Sequence, residues 1–335
     1  MSNAQIVDHG LHQGHMLKEA RLHSTGLSVS LLNFGAVTRD LRLLQGNRPL
    51  ILGFEDPAAY LSNPGYLGVI AGRVAGRITN ARFALDGQSY QLAANEGDTL
   101  LHGGVQGLSH VCWELELLSD ASARLRYHSP EGEAGFPGAV DVSLTVTLEG
   151  LAITYDMRAD VSAPTPISLA QHNYYNLMGG TQPIRDHRLQ VDASSFLVLD
   201  DANVPTGEIA ALDGSHHDLR LGRSFADLDP EHRGSDVALV FDTCRDPQLP
   251  VATLTAPDGL QMRIVSDQPC AQIYTATTLP EQPGALPRQR IGPAMGVCIE
   301  PQGFPNAVNL PQFPSVIATP DHPYRQCLRL EFGWV

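Results

Sequence analysis

Regular alternation of apolar and polar residues constrains the fold of this chain more than any other feature. From Val140 to Leu148 every second residue is apolar, and after Glu149-Gly150 the alternation resumes from Leu151 to Met157. Successive side chains of a strand point to opposite faces, so this period predicts two half-buried strands. The two-residue link that ends in Gly predicts a β-hairpin between them. Asp86-Gly87 separates two shorter runs of the same kind and predicts a second hairpin.

Helical periodicity is almost absent from the rest of the chain. The best helix candidate, over residues 56–61, would complete barely one turn before Asn63-Pro64-Gly65 ends it. Many short strands, punctuated by 31 Gly and 24 Pro, predict an all-β fold, a large antiparallel β-sandwich. Because no shift in composition marks a boundary, we expect a single domain over residues 1–335, with residues 1–20 as a candidate loose N-terminal segment.

The charge balance narrows the class of partner. Lys and Arg total 22 against 36 Asp and Glu, which gives a formal net charge of −14. Proteins that bind nucleic acid or an anionic membrane surface need a basic face, so neither partner is expected. Apolar runs stay well short of the roughly 18 residues that span a bilayer, and Met1–His15 lacks the pattern of a signal peptide. We expect a cytoplasmic monomer or homodimer that acts on a neutral small molecule.

Cysteine and histidine spacing gives little sign of a metal centre. The five cysteines are scattered without a CxxC, so we expect buried, inert thiols rather than disulfides or a zinc ribbon. His9, His12 and His15 lie in a polar stretch where a solvated tail is expected. The adjacent His216 and His217 would point to opposite sides of a strand and could not chelate one ion. We therefore expect neither a metal nor a cofactor.

Three ionisable residues lie in contexts that suit sugar chemistry. Glu300 follows an apolar run, where partial desolvation should raise its pKa toward that of a useful general base. His172 lies among amide and aromatic residues, which suit the hydroxyls and apolar C–H faces of a sugar, and His102 precedes two glycines that would let backbone and ligand approach closely. Taken singly, each histidine is equally well explained as a satisfied loop residue. Glu300 could likewise be a carboxylate in a salt bridge at a strand end, for example with Arg77.

Six short segments stand out when the chain is considered as a whole. They are Gly72–Ile78, Leu101–Gly104, His172–Leu177, Ser235-Asp236, Gln272–Thr275 and Ile299–Ala307. Together, and in this order, they resemble the aldose 1-epimerase (galactose mutarotase) family over nearly the whole chain. The resemblance implies a β-supersandwich. It also implies a cofactor-independent isomerase that interconverts the α and β anomers of a free monosaccharide.

The resemblance also implies roles for residues of this chain. Glu300 corresponds to the general base that takes the proton from the anomeric hydroxyl. His172 corresponds to the general acid that protonates the ring oxygen, so that the ring opens, the C1–C2 bond rotates and the ring closes on the other face. His102 and Arg77 would hold the ring oxygen and hydroxyls. An imidazole and a carboxylate of raised pKa are side chains able to do this near neutral pH without a metal or redox centre.

Sugar hydroxyls further from C1 would be bound by Asp236 and Gln272. The chain departs from the family pattern at three places. Gly76 stands where Asn usually precedes the arginine, Val237-Ala238-Leu239 replaces a His-Asn-Phe-like continuation, and Tyr175 stands where Phe is common. The acid and the base are retained while the residues that recognise hydroxyls differ, so the resemblance implies mutarotation without indicating which sugar.

Other functions stay open at this stage. The altered neighbourhoods of Gly76 and Asp236 favour a non-catalytic sugar-binding or regulatory protein on the same scaffold, whereas the retention of Glu300 with His172 opposes it. A mutarotase-like enzyme for a different or modified sugar is a second alternative, although a phosphosugar would need extra basic residues at the pocket. A glycosidase or lyase is a third, and a glycosidase needs two carboxylates flanking the bond, for which Glu300 and Asp236 are the candidates.

Overall fold

Strands dominate the computed structural model, which describes residues 4–335. The first strands are β1 (Gln5–His12), β2 (His15–His23), β3 (Leu27–Leu32), β4 (Thr38–Leu43), β5 (Arg48–Pro49), β6 (Ile70–Ala71), β7 (Arg77–Ile78), β8 (Arg82–Leu85) and β9 (Gln88–Gln91). The middle strands are β10 (Leu100–Leu101), β11 (Glu114–Ser119), β12 (Ser122–Ser129), β13 (Val140–Glu149), β14 (Ala152–Val161), β15 (Thr165–Pro166), β16 (Ala170–Gln171), β17 (Arg188–Val191) and β18 (Ala193–Leu199). The last are β19 (Pro205–Ala211), β20 (Arg223–Ser224), β21 (Asp236–Phe241), β22 (Ala252–Thr255), β23 (Leu260–Ser266), β24 (Cys270–Tyr274), β25 (Cys298–Gln302), β26 (Ile317–Ala318) and β27 (Tyr324–Trp334).

The helical elements of the described residues are short. The α-helix is α1 (Phe225–Leu228). The 3-10 helices are Gln45–Asn47, Pro57–Ser62, Thr79–Ala81, Leu108–His110, Glu133–Gly135, Ile184–Asp186 and Ala307–Asn309. The short helix expected over residues 56–61 is the 3-10 helix Pro57–Ser62, which at three residues per turn completes about two turns, more than expected. None of the helices in residues 4–335 is long and apolar enough to cross a membrane.

The largest sheet has nine strands in the order β11-β12-β13-β14-β27-β23-β22-β17-β20, and every neighbouring pair is antiparallel. The predicted hairpin is its centre, because β13 and β14 pair from Val140 opposite Val161 to Glu149 opposite Ala152. The second predicted hairpin joins β8 to β9. Asp86 and Gly87 have φ of 50° and 77° there, the left-handed pair that a two-residue turn of this kind requires.

Two five-stranded sheets complete the architecture, in the orders β1-β2-β3-β4-β5 and β19-β18-β21-β24-β25. One continuous cluster of buried apolar side chains draws on all three large sheets, for example Leu31, Leu144 and Ile299. The all-β sandwich expected from the alternation is therefore confirmed. That the whole chain forms one domain stays a prediction.

Three expectations about the periphery are wrong. The stretch expected to be a solvated tail forms β1 and β2, which pair with each other; His9 Nε2 lies 3.0 Å from Oε2 of the buried Glu19, and residues 1–3 lie outside the described part. His216 and His217 lie in a turn with their ring centroids 3.7 Å apart, not on opposite sides of a strand. Not all thiols are buried, because Cys244 and Cys327 are exposed.

Candidate active site

One cavity contains the residues that the sequence singled out for chemistry. Its volume is about 580 Å³, within the range of about 300 to 1,000 Å³ that is typical of small-molecule sites. The expected site residues that line it are Arg77, His102, His172, Asp236, Gln272 and Glu300. The fold therefore brings together, from segments far apart in the chain, every residue expected to contact a sugar.

Three neighbouring strands carry the acidic and amide side chains of this cavity. Asp236 begins β21, Gln272 lies in β24, and Glu300 is the middle residue of β25. Gln272 is directly opposite Glu300 in the antiparallel register, and its Nε2 donates a hydrogen bond of 2.6 Å to Oδ1 of Asp236. Because alternate residues of a strand face the same side, the adjacent Ile273 and Ile299 turn into the apolar core instead.

Glu300 is a buried carboxylic acid. Only 2% of the residue is exposed. Burial, followed by the charge of Asp236, raises the pKa of Glu300 well above its usual value of 4.5. This is the direction expected from the preceding apolar run, although β25 continues through Gln302 and does not end at Glu300. The salt bridge with Arg77 considered from the sequence is wrong, because the guanidinium of Arg77 binds Glu96.

The imidazole of His172 faces Glu300. Its Nε2 lies 3.7 Å from Oε1 of Glu300, and its Nδ1 lies 3.5 Å from Sγ of Cys298. The backbone that carries the ring is fixed, since the N–H of His172 donates to the carbonyl of Val69 and its carbonyl accepts from the N–H of Gly68, both at 2.9 Å. Burial lowers the pKa of His172 to about 4.

The second histidine of the cavity, His102, is held as a neutral hydrogen-bond donor. Its Nδ1 accepts a hydrogen bond of 3.2 Å from the backbone N–H of Gly76. A ring nitrogen that accepts carries no proton, so the proton of the neutral ring is on Nε2. Burial, followed by His172 and Arg77, lowers the pKa of His102 well below 6.5. Its ring centroid is 5.2 Å from that of His172, so the two imidazoles share one end of the cavity.

The glycines after His102 allow a close approach, but to the backbone and not to a ligand. Gly103 and Gly104 have φ of 84° and 80°. A Cβ on Gly103 would lie 1.9 Å from the carbonyl oxygen of Gly72, a distance that no side chain can tolerate. The expected contact with a ligand at these glycines is therefore wrong for Gly103, which packs against the backbone of Gly72 and Arg73.

Arg77 is oriented by a residue that the sequence did not reveal. Its Nε and Nη2 donate to the two carboxylate oxygens of Glu96 at 2.6 and 2.9 Å, and its Nη1 lies 3.8 Å from Oδ2 of Asp236. Glu96 comes close because β7 pairs with β10, with Arg77 opposite Leu101, which brings the preceding loop alongside. Glu96 belongs to none of the recognised segments, so only the strand pairing identifies it.

The other arginine of the same segment, Arg73, is structural. It is 3% exposed and does not share a face with Arg77, because the chain turns at Gly76, where φ is 74°. Its guanidinium donates hydrogen bonds to oxygens of Ser129, Pro130, Pro137 and Gly138. Arg73 therefore ties loops together, while Arg77 lines the cavity.

Aromatic rings form part of the cavity wall. Tyr66, Tyr174 and Tyr274 line it, and the rings of Tyr66 and Tyr174 lie 4.8 and 5.2 Å from those of His102 and His172. Rings of this kind offer flat apolar faces to the C–H groups of a sugar. Tyr174 and Tyr274 belong to the recognised segments, whereas Tyr66 was not predicted.

The departures from the family pattern differ in their relation to the cavity. Tyr175 and the run Val237–Leu239 are each at most 3% exposed and belong to the apolar core. Gly76, in contrast, lines the cavity, and a Cβ there would lie 3.0 Å from Cβ of Pro305. Of the three departures, Gly76 is therefore the one that can alter how the cavity recognises sugar hydroxyls.

One group of side chains in the described residues could bind a metal ion. Within residues 4–335, His172, Cys298 and Glu300 are the group whose ligand atoms all lie within 4.8 Å of one another. Imidazole, thiolate and carboxylate are the ligand types that Zn²⁺ takes in proteins.

A family model described as aldose 1-epimerase matches residues 19–331. The chain belongs to the aldose 1-epimerase family. Among curated relatives of this family, a galactose mutarotase of Sus scrofa is 36% identical over 321 residues, which cover 92% of each chain. An aldose 1-epimerase of Escherichia coli (strain K12) is 29% identical, with 87% of each chain covered.

Solved structures in the family have the same fold. A GalM/aldose epimerase homologue from C. elegans superposes with a TM-score of 0.89 at 26% identity, covering 95% of this chain and 99% of the homologue. A galactose 1-epimerase from Lactobacillus acidophilus NCFM gives a TM-score of 0.87 at 23% identity, with 99% of both chains covered. The aldose 1-epimerase fold thus extends over almost the whole described chain.

Proposed function

We propose that this protein is a mutarotase that opens and recloses the ring of a free aldose and so interconverts its α and β anomers. The observation that carries the proposal is the 3.7 Å distance between Nε2 of His172 and Oε1 of Glu300 in a cavity of sugar-binding size. Ring opening needs a base at the anomeric hydroxyl and an acid at the ring oxygen, and these oxygens are bonded to the same carbon. A base and an acid this close together can therefore deprotonate the anomeric hydroxyl and protonate the ring oxygen in the same step.

Glu300 takes the proton of the anomeric hydroxyl, while His172 donates a proton to the ring oxygen. The C1–O5 bond breaks, and the electron pair of the anomeric oxygen forms the aldehyde. Before this step the pair is a carboxylate and an imidazolium, and after it a carboxylic acid and a neutral imidazole. Burial favours the second arrangement, which is the one that accompanies the open-chain aldehyde. Reclosure on the opposite face of C1 returns both protons, so no cofactor is consumed.

The remaining polar residues of the cavity bind and orient the sugar in this scheme. His102 offers its Nε2–H to the ring oxygen or a neighbouring hydroxyl, and Arg77, Asp236 and Gln272 bind hydroxyls further from C1. Support comes from their common cavity and from the hydrogen bonds that fix the tautomer of His102 and link Gln272 to Asp236. A cytoplasmic location and a monomeric or homodimeric state stay predictions.

The test is the mutarotation of fresh α-D-galactose and α-D-glucose, followed by polarimetry. These sugars come first because curated relatives are named galactose mutarotases. The protein should accelerate mutarotation of at least one free aldose, and Glu300→Gln and His172→Gln should each lower kcat by about 10²-fold or more. Glu114→Gln and His128→Gln are the matched controls. The side chain of Glu114 is 82% exposed and that of His128 is 62% exposed, and neither residue lines the cavity.

Two results would contradict the proposal. An unchanged rate in Glu300→Gln would remove the proposed base. Sugar binding by the wild-type protein without acceleration of any free aldose would instead favour a sugar-binding or regulatory protein. Circular dichroism of each variant shows whether a loss of rate reflects lost chemistry or lost folding.

A further inference from the structure

A thiol lies directly behind the proposed acid and base. Sγ of Cys298 is 3.5 Å from Nδ1 of His172, and Cys298 precedes Glu300 by two residues on β25. The three residues are 0%, 4% and 2% exposed in the order Cys298, His172 and Glu300. Neither the proposed ring opening nor the binding of hydroxyls uses this thiol.

The spacing of the three groups suits a tetrahedral ion. With usual zinc bond lengths, ligand atoms at adjacent corners of the tetrahedron are about 3.3 to 3.6 Å apart. The distance from Sγ of Cys298 to Nδ1 of His172 is 3.5 Å, and all three ligand atoms lie within 4.8 Å of one another. Rotation of the Glu300 side chain toward the other two ligand atoms would complete three corners of the tetrahedron. Water or a sugar hydroxyl from the cavity that His172 and Glu300 line would take the fourth.

Charge balance also favours a divalent cation here. A thiolate and a carboxylate beside a neutral imidazole carry two negative charges, and two buried anions without a partner are costly. One M²⁺ ion makes the group neutral. When the ion binds, Cys298 loses its thiol proton to solvent, because a coordinating thiol is deprotonated. The one proton that His172 and Glu300 hold between them is released to solvent as well, because a ligating carboxylate and imidazole carry none at the metal.

We propose that His172, Cys298 and Glu300 form an inhibitory binding site for a thiophilic divalent cation, Zn²⁺ or Cd²⁺. The ion reaches the site through the cavity, which His172 and Glu300 line. Once bound, it holds a carboxylate oxygen of the proposed base Glu300, and its positive charge on Nδ1 of His172 opposes protonation of Nε2, the nitrogen that faces Glu300. Mg²⁺ and Ca²⁺ prefer six or more oxygen ligands and do not replace it.

Binding is tested directly with Cd²⁺, whose thiolate complexes absorb in the ultraviolet. The experiment uses the full chain without the thiols that are not buried, which are replaced by Cys112→Ser, Cys244→Ser and Cys327→Ser. The thiols of Cys270 and Cys298 remain. We expect saturable Cd²⁺–thiolate absorption at one ion per chain. Adding Cys298→Ser should abolish this absorption. Adding Cys270→Ser is the matched control, because Cys270 is equally buried, and it should leave the absorption unchanged.

Inhibition is tested in the mutarotation assay, and this part rests on the proposed function. Zn²⁺ should inhibit reversibly, with recovery on addition of EDTA, and Mg²⁺ should have no effect at the same concentration. Cys298→Ser should raise the Zn²⁺ inhibition constant at least about tenfold relative to its own metal-free rate, since a hydroxyl is a poor zinc ligand. Cys298→Ala serves as the second variant if the serine does not fold.

The two failures are distinguishable. If the protein accelerates no mutarotation but Cd²⁺ binds through Cys298, the proposed function is wrong and the metal site stands. If mutarotation is normal but the Cd²⁺–thiolate absorption is missing, or persists in Cys298→Ser, the metal site is wrong. Zn²⁺ inhibition that Cys298→Ser leaves unchanged would likewise assign the ion to other ligands.

Discussion

Nε2 of His172 and Oε1 of Glu300 are 3.7 Å apart, and both side chains are almost completely buried. Burial moves both groups toward their neutral forms, raising the pKa of Glu300, to which the charge of Asp236 also contributes, and lowering the pKa of His172. The pair therefore holds one proton over a wide range of pH. Whether that proton is on the carboxylate or the imidazole distinguishes the two ends of the proposed proton transfer.

This shared proton predicts a bell-shaped dependence of kcat/KM on pH. On the acid side, activity should fall as the pH drops through the lowered pKa of His172, about 4, because the pair then holds two protons and Glu300 cannot act as a base. On the alkaline side it should fall as the pH rises through the raised pKa of Glu300, because the pair then holds none. Polarimetric rates across the stable pH range test this. A profile with one limb only would contradict a shared proton.

Glu300 should also cost stability, and Glu300→Gln should relieve that cost. The pKa of this carboxyl is raised in the folded protein, so between its usual value of 4.5 and the raised value the folded state binds more protons than the unfolded state. The free energy of unfolding therefore decreases as the pH rises through this range. Glu300→Gln should gain about 1 to 3 kcal/mol relative to wild type at alkaline pH and nothing below the usual pKa. Thermal unfolding at several pH values measures the difference, and Glu114→Gln should show none.

Arg73 and Arg77 are four residues apart, yet their substitution should have opposite consequences. Arg73→Ala leaves several buried carbonyl oxygens without a donor and should lower the free energy of unfolding by about 3 kcal/mol or more. Arg77→Ala breaks ion pairs only with the partly exposed carboxylates of Glu96 and Asp236, so it should cost less than about 1 kcal/mol while raising KM. Urea unfolding and Michaelis parameters, measured on both variants, separate the two roles. Equal loss of stability in both would contradict the assignment.

Features of the fold and of the site are predictable from the sequence where they depend on residues close together in the chain. Alternation predicted β13 and β14, and Asp86-Gly87 predicted the turn between β8 and β9, because each depends on residues close in sequence. The site residues belong to short segments whose order resembles one family, so they could be named before their common cavity was known.

What the sequence did not reveal depends on register and on side-chain direction. Glu96 contacts Arg77 only because β7 pairs with β10, and Cys298 contacts His172 only because two distant segments meet. The sequence also did not indicate side-chain direction. Val237–Leu239 differs from the family pattern and was expected to affect sugar recognition, but its side chains are buried in the core. A departure in sequence changes a site only if the residue faces it.

Glu96 should therefore act on sugar binding through Arg77. Glu96→Gln keeps the shape of the side chain but loses the charge that holds the guanidinium at 2.6 and 2.9 Å. Because the Glu96 side chain is 42% exposed, the pair is worth less than about 1 kcal/mol, so we expect KM to rise about two- to fivefold with little change in unfolding temperature. Glu281→Gln is the matched control, since its carboxylate binds Arg290 at 2.8 Å with both side chains 60% exposed. An unchanged KM in Glu96→Gln, or an equal rise in the control, would show that Glu96 does not orient Arg77 for sugar binding.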